Sequence, residues 1–570
     1  MRTGSIHNSS RLAGFILPWF LLLSMSIVSA TGQQKASSSR VEHADKEPQN
    51  WLTYYGNYSG WSYSPLNQIN RTNVRQLEPV WTFAAGVTPP TTNLRVGLEA
   101  APLVVDSLLY LVGPQNNVYA IDATTGKSVW IYKYSWPNKA VSGAKGARGL
   151  AYGDGQIYMG TQDNHLVALD AASGKEMWNI EVEDNTDCGC SLNSPPLFTR
   201  GKVIAGSSGG AGKINGYLNA FDAKTGNRIW HFDVIPSTGQ PGNETWAGDR
   251  WKTGGGAAWS TGTYDPDLNL IYWGTGDPFP VWRGDKRPGA NLYTDSLLAI
   301  DADTGKLRWY FQETPNDLYD YDSATEPLLL DLDVMGQKQK VVLHPSKNAF
   351  AYVYDRATGK YLRGFPYGSP NWSKGLDANG NAINRVSPAD QNDFLICPSM
   401  HSGARNINHS AYSPHTGWWY TTDNELCSFL KTGLFPTPQE MVNPKVSPNI
   451  SAFDPVSGRK QWTFNTTYFN ESALLATAGD LIFGGDLEGN AFALDARTGQ
   501  KLWSFSTGAP ISSPPISFSA DGRQYVTISS GGGSASEGRF PLYYPQDNNR
   551  LPQPASTLFV FALDSASRHN

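Results

Sequence analysis

The chain has 570 residues, of which 17% are charged and 12% aromatic, and its formal net charge is −5. This is the composition of a globular protein, and its 57 glycines and 37 prolines predict many turns. The negative charge, without a basic patch that interleaves aromatic residues, excludes nucleic acid as an expected partner.

The first 30 residues have the pattern of an export signal. Arg2 and Arg11 supply positive charge, LAGFILPWFLLLSMSIV forms an apolar core, and VSA (28–30) is a small-residue cleavage site. An uncleaved membrane anchor is the alternative, because the apolar run approaches the length that spans a bilayer. The polar residues 31–50 predict a flexible leader. We therefore expect an exported protein, periplasmic or secreted, with no integral membrane segment after the signal is cleaved.

A repeat of the form A-x-D-x-x-[TS]-G-x-x-x-W runs through the rest of the chain. Its copies are AIDATTGKSVW (120–130), ALDAASGKEMW (168–178), AFDAKTGNRIW (220–230), AIDADTGKLRW (299–309), AFDPVSGRKQW (452–462) and ALDARTGQKLW (493–503), with VYDRATGKYL (353–362) as a degenerate copy. In each copy an apolar strand ends at the Asp, a turn contains the Gly, and a second strand carries the Trp. Four short strands per unit of about 40–50 residues indicate a β-propeller.

The two ends of the chain complete the count of repeats. LFVFALDS near the C-terminus supplies A-L-D without its Trp, and LEPVWTF near the N-terminus supplies Trp81 without its A-x-D. The repeat positions are Asp122, Asp170, Asp222, Asp301, Asp355, Asp454, Asp495 and Asp564. We therefore predict an all-β fold, a single eight-bladed β-propeller domain over residues 51–570, whose ring is closed by pairing of the N- and C-terminal strands.

Two further expectations follow from the repeat. The tryptophans should pack between blades and take no part in chemistry; they are Trp130, Trp178, Trp230, Trp309, Trp462 and Trp503. The long gaps between copies, at 231–298 and 363–451, should hold insertions or loops on the working face of the ring.

The stretch ETPNDLYDYDSATEP (313–327) concentrates carboxylates in a chain with few charges. It contains Asp317, Asp320, Asp322 and Glu326 and no basic residue. In an extended chain the side chains of Asp320 and Asp322 leave the backbone on the same side. Like charges held that close repel each other unless a proton or a cation neutralises them. The stretch is therefore either a solvated acidic loop or a cation-binding segment.

The repeat, the export signal and the segments between repeats resemble the pyrroloquinoline quinone (PQQ) dehydrogenases. These are the quinoprotein alcohol dehydrogenases, which include the methanol dehydrogenase large subunit. The resemblance extends from WLTYYGNYSGWSYSPLNQINRTNVRQLEPVWTF to GAPISSPPISFSADGRQYV. It implies that PQQ lies in the central funnel, stacked on Trp259 of TGGGAAWSTGTYDPDLNLIYWGTGDP, because a flat quinone needs a flat apolar partner.

Other segments match the family's cofactor pocket, in the family's order. They are Glu99 in GLEAAPLVVD, Arg148 in ARGLAYG, Asn193 in SLNSPPLF, Ser208, Gly209 and Gly210 in a small-residue stretch, and Lys347 in HPSKNAFAYVYDR. The carboxylates of PQQ require cations and hydrogen-bond donors of this kind. Each residue alone also has an ordinary structural explanation, as a surface Arg or Lys or as a turn Gly.

The segment that matches DLYDYD carries the catalytic aspartate of the family, and Asp320 falls on that position. The resemblance implies that Asp320 takes the hydroxyl proton of the alcohol as hydride moves to the quinone, while a bound cation acts as Lewis acid. Asp322 matches a position that is Asp in lanthanide-dependent members and small and neutral in calcium-dependent ones. The implied cofactors are PQQ and one metal ion, Ca²⁺ or a lanthanide, held by Asp277, Asp320 and Asp322.

Two positions of the metal set depart from the family pattern. Gly212 stands where the family has a metal-binding Glu, and Asp277 stands where it has an Asn. The first change removes a ligand and the second adds a carboxylate, which compensates in charge but not in geometry.

The cysteines also depart from the family. The adjacent pair that precedes the family's Arg is absent, and Cys188 and Cys190 lie one blade later. They form either a C-x-C disulfide near the quinone, or unpaired or differently paired cysteines. Cys397 and Cys427 match the structural disulfide of the family.

The resemblance implies an exported PQQ-dependent dehydrogenase that oxidises an alcohol, or a related polyol or aldehyde. No C-x-x-C-H motif is present, so electrons would pass to an external acceptor such as a cytochrome c. The alternative is a propeller that has lost its cofactor chemistry and serves as a binding or assembly scaffold, which Gly212 and the missing cysteine pair favour.

Overall fold

The computed structural model describes residues 40–86, 97–136, 146–184, 188–209, 214–334, 336–431, 438–534 and 537–564. Over these ranges the regular structure is almost entirely β-strand, in seven four-stranded sheets, one five-stranded sheet and one three-stranded sheet. No helix in the described part of the chain is long and apolar enough to cross a membrane. The predicted signal, residues 1–30, lies outside the described ranges.

The eight larger sheets follow one another along the chain. Sheet 1 contains Leu103–Val105, Leu108–Val112, Val118–Asp122 and Ser128–Tyr132; sheet 2 contains Ala151–Gly153, Gln156–Gly160, His165–Asp170 and Glu176–Glu181; sheet 3 contains Leu197–Thr199, Lys202–Gly206, Tyr217–Asp222 and Arg228–Asp233; sheet 4 contains Thr263–Asp265, Leu270–Gly274, Ser296–Asp301 and Leu307–Gln312. Sheet 5 contains Leu328–Val334, Gln337–Pro345, Phe350–Asp355 and Tyr361–Pro366; sheet 6 contains Ala411–Ser413, Trp418–Asp423, Asn449–Phe453 and Lys460–Asn465; sheet 7 contains Tyr63–Ser64, Leu475–Thr477, Leu481–Gly485, Asn490–Asp495 and Lys501–Ser506; sheet 8 contains Leu77–Ala84, Ile516–Ala520, Arg523–Ser530 and Thr557–Leu563.

The three-stranded sheet and the short helices lie in the connections. The three-stranded sheet contains Phe394–Ile396, Leu426–Leu430 and Gln439–Val442, within the predicted insertion 363–451. The short 3-10 helices are Ala44–Lys46, Val74–Gln76, Pro114–Asn116, Asn243–Thr245, Arg250–Thr253, Gly284–Lys286, Pro388–Asp390 and Glu537–Arg539, and Phe540–Tyr543 is a single α-helical turn. A disulfide joins Cys427 of the small sheet to Cys397.

The repeat folds into the predicted strand-turn-strand unit, as its first copy shows. The strand Val118–Asp122 ends at Asp122, whose carboxylate accepts the backbone N–H groups of Thr124 at 3.0 Å and Thr125 at 2.9 Å. Gly126 follows with a φ of +72°, in the left-handed region that favours glycine. The turn is therefore specified by residues of the repeat itself.

The tryptophan of each repeat packs on the glycine of the next. The indole N–H of Trp130 in sheet 1 donates to the carbonyl of Ala171 at 3.1 Å, and a Cβ atom on Gly174 would lie 2.5 Å from the Trp130 ring. The same contact joins Trp81 to Gly126, Trp178 to Gly226, Trp230 to Gly305, Trp309 to Gly359 and Trp462 to Gly499. Trp503 donates to the carbonyl of Leu77 and so links sheet 7 to sheet 8. The predicted packing role of these tryptophans is confirmed.

The core lies in layers between the sheets. The third strand of sheet 1, Val118–Asp122, is buried nearly throughout, whereas the fourth, Ser128–Tyr132, alternates between exposed and half-buried residues. Buried apolar side chains from successive sheets form one continuous cluster from the N-terminal segment through sheets 1 to 4. Because each sheet buries both faces against its neighbours, its inner strands are apolar without alternation.

Sheet 8 joins the two ends of the described chain. Strand Leu77–Ala84 pairs antiparallel with strand Thr557–Leu563, from Leu77 opposite Leu563 to Ala84 opposite Thr557. The two half-repeats that the sequence analysis found at the ends of the chain therefore lie side by side in one sheet.

The end of the predicted flexible leader is packed on the fold. The Val41 side chain is buried, and Arg40 donates hydrogen bonds to the carboxylates of Glu47 and Asp106. Trp51 then pairs with Val104 of sheet 1 through backbone hydrogen bonds. The expectation of a flexible segment is thus corrected for residues 40–50, because their apolar and charged side chains find partners on sheet 1 and beside it.

Candidate cofactor and metal site

Three carboxylates meet at one buried point, as the sequence analysis expected. One oxygen from each of Asp277, Asp320 and Asp322 lies within 4.8 Å of the others, and all three residues are buried. Asp277 follows the strand Leu270–Gly274 of sheet 4, whereas Asp320 and Asp322 lie in the connection from sheet 4 to sheet 5. The cluster therefore brings together two segments that are more than 40 residues apart.

Lys347 links the two carboxylates of the D-x-D motif. Its ammonium Nζ donates to Asp320 Oδ1 at 2.8 Å and to Asp322 Oδ2 at 2.7 Å, and the lysine is itself buried. The second oxygen of Asp322 accepts the indole N–H of Trp259 and the backbone N–H of Asp277, both at 3.0 Å. Asp322 is thereby fixed between the predicted stacking tryptophan and the predicted pocket lysine.

Asp317 and Glu326, two further acids of the stretch 313–327, hold the loop in place. Asp317 accepts the backbone N–H groups of Tyr319 and Tyr321, both at 2.9 Å. Glu326 forms a buried ion pair with Arg405. The alternative of a solvated acidic loop is wrong, because all of these carboxylates are buried and each has a specific environment.

His401 belongs to the site and was not found from the sequence. Its Nδ1 atom lies 3.1 Å from Asp320 Oδ2, and its ring meets the edge of Trp282 at 5.6 Å between centroids. The side chain is 27% exposed, so it forms the rim of the site above the buried Asp320. Its place in CPSMHSG, four residues after the predicted disulfide cysteine Cys397, carries no spacing pattern that indicates a site.

The charges of the site control the protonation of its acids. Burial raises the pKa of Asp320, but Lys347 and His401 outweigh burial and lower it to about 2. Burial likewise disfavours the charged form of Lys347, yet its two carboxylate neighbours raise its pKa above the ordinary value. Burial and the neighbouring Asp322 raise the pKa of Asp277 well above its usual range. One ammonium thus compensates two carboxylates, and the third has no cation of its own.

The residues present fit a hard cation. Asp277 Oδ2 is buried and accepts no hydrogen bond from any described residue. A buried carboxylate oxygen without a partner is costly unless a proton or an ion satisfies it. Carboxylate oxygens are the ligands that calcium and other hard, highly charged ions prefer. The position that matches the family's metal-binding Glu, Gly212, lies outside the described residues.

Trp259, Arg148 and Glu99 form a second part of the site. The Arg148 guanidinium lies 5.6 Å from the centroid of the Trp259 ring and donates to the Trp259 carbonyl at 3.3 Å. It also donates to Glu99 Oε2 at 3.3 Å. All three residues are buried. Because Trp259 also contacts Asp322, these three residues are continuous with the predicted metal residues.

Asn193 offers an unused amide beside this group. Its backbone carbonyl accepts the N–H of Arg148 at 2.9 Å. The side chain is 1% exposed, and neither its oxygen nor its nitrogen has a hydrogen-bond partner among the described residues. A buried amide with both groups unsatisfied fits a polar ligand such as the carboxylates and carbonyls of PQQ.

The small-residue stretch lies against the C-x-C cysteines. Ser208 exchanges backbone hydrogen bonds with Ser191, and Gly209 adopts a φ of +124°. A Cβ atom on Gly209 would lie 3.1 Å from the carbonyl of Gly189. Cys188 and Cys190, on either side of Gly189, form a disulfide, which selects the bonded alternative. Gly210 lies outside the described residues.

A family model for the β-propeller domain of PQQ-dependent glucose, ethanol and alcohol dehydrogenases matches residues 51–366 and 465–526. The chain therefore belongs to this family, and the resemblance inferred from its motifs is confirmed. The family is one of all-β propeller enzymes, which agrees with the sheets described above.

Individual members of the family resemble the chain over most of its length. It is 34% identical over 555 residues to the quinoprotein alcohol dehydrogenase PedH of Pseudomonas putida, covering 90% of this chain and 91% of that protein. It is 33% identical over 563 residues to the lanthanide-dependent methanol dehydrogenase of Methylacidiphilum fumariolicum, covering 90% and 89%. A solved structure of a europium-containing methanol dehydrogenase superimposes with a TM-score of 0.83 at 31% identity, covering 92% of this chain and all of the other.

Proposed function

We propose that this chain is an exported PQQ-dependent dehydrogenase that oxidises an alcohol, or a related polyol or aldehyde. A metal ion would act as Lewis acid, and a separate acceptor such as a cytochrome c would take the electrons. The observation that supports this most directly is the buried convergence of Asp277, Asp320 and Asp322 with Lys347 and Trp259. Relatives named as quinoprotein alcohol dehydrogenases match about nine-tenths of the chain.

When bound, PQQ would supply a hydride acceptor for the oxidation of the alcohol, and the cation would supply Lewis acidity. Asp277, Asp320 and Asp322 would hold the cation, because their oxygens converge and one of them is otherwise unsatisfied. Trp259 would provide the flat apolar surface for the ring. Arg148 and the unsatisfied amide of Asn193 would bind polar groups of the cofactor. Glu99, Ser208, Gly209 and Gly210 complete the proposed cofactor set.

Asp320 would take the hydroxyl proton of the alcohol at a carboxylate oxygen. A general base must be ionised before the reaction, and a pKa of about 2 keeps Asp320 ionised at neutral pH. Lys347 holds Oδ1 at 2.8 Å, so this contact fixes the direction of the second oxygen, Oδ2. Because Asp320 is buried, bulk water does not compete freely for that oxygen.

A lanthanide fits the site better than calcium. A site for a divalent ion needs less negative charge than Asp277 and Asp322 supply together with Asp320. Each additional carboxylate favours a trivalent ion. Two of the similar proteins are named for a lanthanide or for europium. Calcium is the alternative ion.

The finer features of the fold belong to the same proposal. Sheets 1 to 8 would be eight blades, and the pairing of Leu77–Ala84 with Thr557–Leu563 in sheet 8 would close the ring. Residues 51–570 would form this one domain, with residues 1–30 as the cleaved signal and residues 31–50 as the leader. The protein would be periplasmic or secreted. A non-catalytic scaffold is the weaker proposal, since it gives no reason for unsatisfied buried groups such as Asn193 and Asp277.

The direct test is the substitution Asp320→Asn in the mature chain loaded with PQQ and a cation. We expect dye-linked alcohol oxidation to fall by about 10²–10⁴-fold, the usual contribution of a general base, while PQQ remains bound by its absorbance. Asp267→Asn is the control, because Asp267 is an exposed residue paired with surface Lys340. Turnover retained in the Asp320 variant would remove this residue from the mechanism.

A further inference from the structure

Asp295 is a buried carboxyl next to the metal residues. It immediately precedes the strand Ser296–Asp301 of sheet 4, and its backbone N–H donates to the carbonyl of Gly276 at 3.0 Å, one residue before Asp277. The side chain is 0% exposed, and neither carboxylate oxygen has a hydrogen-bond partner among the described residues. Burying a carboxyl without hydrogen-bond partners lowers the free energy of unfolding. Another interaction of the folded protein must offset this cost.

The charged groups that act on Asp295 are mostly acidic. Asp317, Asp277 and Asp322 repel its charged form, and Arg287 attracts it. Arg287 donates its own hydrogen bonds to main-chain carbonyls and to one amide side chain, and none that is described goes to a carboxylate. Burial, followed by these acids, raises the pKa of Asp295 well above its usual range. The group is therefore part of the electrostatic environment of the cation site.

The formal charges of the groups around the site are out of balance. Five buried carboxyls, those of Asp277, Asp295, Asp317, Asp320 and Asp322, lie with two buried permanent cations, Lys347 and Arg287. If every carboxyl is ionised, the excess is three negative charges. A trivalent ion balances this excess, whereas a divalent ion leaves one buried carboxylate uncompensated.

We propose that Asp295 acts through its charge, without touching the ion, to make the cation site select a trivalent over a divalent metal. The attraction between a carboxylate and the ion grows in proportion to the charge of the ion, so a trivalent ion stabilises the ionised form of Asp295 more than a divalent ion does. Asp295 is thus a specificity-determining residue of the cation site. The inference rests on the proposed function, because it assumes that Asp277, Asp320 and Asp322 bind the metal.

The test compares metal affinities of the full mature chain with PQQ present, after removal of metal by a chelator. Dissociation constants for La³⁺ and Ca²⁺ are measured by titration of the wild type and of Asp295→Asn, with tryptophan fluorescence as the signal. Asp423→Asn is the matched control, since Asp423 is also buried with one unsatisfied oxygen but has Glu425 and Lys460 as its charged neighbours. Asp295→Ser replaces the Asn variant if the latter does not fold.

We expect Asp295→Asn to reduce the preference for La³⁺ over Ca²⁺ by about tenfold, equivalent to about 1.4 kcal/mol, and Asp423→Asn to leave the preference unchanged. The metal-free Asp295 variant should unfold at the same or a higher denaturant concentration than the wild type, because an unsatisfied carboxyl has been removed. If Asp295 had only a structural role, its substitution would lower the stability of the metal-free protein and weaken the binding of both ions equally.

An unchanged La³⁺/Ca²⁺ ratio in Asp295→Asn would overturn the inference and leave the proposed function standing, provided that the wild type binds metal. A wild type that binds neither ion would overturn the proposed cation site itself, and the inference with it. The two failures are therefore distinguished by the wild-type titration alone.

Discussion

Removing the Lys347 ammonium should destabilise the metal-free protein far more than removing a surface lysine. Lys347 contacts two buried carboxylates at 2.8 and 2.7 Å. Coulomb's law gives about 6 kcal/mol for each contact at an effective dielectric of 20, and burial of the ammonium offsets part of that. Breaking a buried ion pair by removing one partner costs about 3–5 kcal/mol. We therefore expect Lys347→Met to lower the free energy of unfolding by that amount.

The assay is urea unfolding of Lys347→Met without metal and with excess La³⁺. Lys340→Met serves as control, because Lys340 is exposed and pairs with exposed Asp267, so its loss should cost under about 1 kcal/mol. La³⁺ should stabilise the Lys347 variant more than the wild type, since the ion then supplies the missing positive charge. The reasoning is refuted if the two lysine variants lose equal stability, or if La³⁺ stabilises the Lys347 variant no more than the wild type.

Two further predictions concern the scaffold. Gly174→Ala should destabilise the protein by about 1–3 kcal/mol, because the new Cβ would lie 2.5 Å from the Trp130 ring at a residue with φ +70°. Gly155→Ala, at φ +76° with open space around it, should cost less, and equal urea midpoints for the two variants would contradict the Trp–Gly contact. Burial lowers the pKa of His409 in the folded protein to about 4. Below about pH 6.5 this histidine therefore binds a proton more readily in the unfolded chain than in the folded one. Stability should therefore fall by up to about 3 kcal/mol between pH 6.5 and 4. His409→Gln should lose less stability over that interval, and the same loss in both proteins would exclude His409 as a cause.

The sheets could be predicted from the sequence because the repeat is a local unit. Asp122 caps its turn, and Gly126 supplies the left-handed residue within the same eleven positions. The Trp130–Gly174 contact reaches only the next copy of the same motif. Even the pairing of Leu77–Ala84 with Thr557–Leu563 could be anticipated, because each strand keeps half of that motif.

The site was predictable only where a short pattern places residues on one side of the chain. Asp320 and Asp322 are two residues apart and both contact one lysine, although the backbone at Asp320 is left-handed, with a φ of +65°, and not extended as the spacing argument assumed. His401 reaches Asp320 across 81 positions without any local pattern, so no spacing rule could have found it. The burial of Asp295 depends on how sheet 4 packs, and the sequence shows there only one more acidic residue.

The central claim is that the buried carboxylates, Lys347 and Trp259 form a working PQQ and metal site. It is tested most directly by titrating the purified, metal-free mature protein with PQQ, followed by absorbance and tryptophan fluorescence, with no metal, with Ca²⁺ and with La³⁺. We predict tight binding that requires a cation and is strongest with La³⁺. If PQQ does not bind under any of the three conditions, the site is not a cofactor site and the account is wrong.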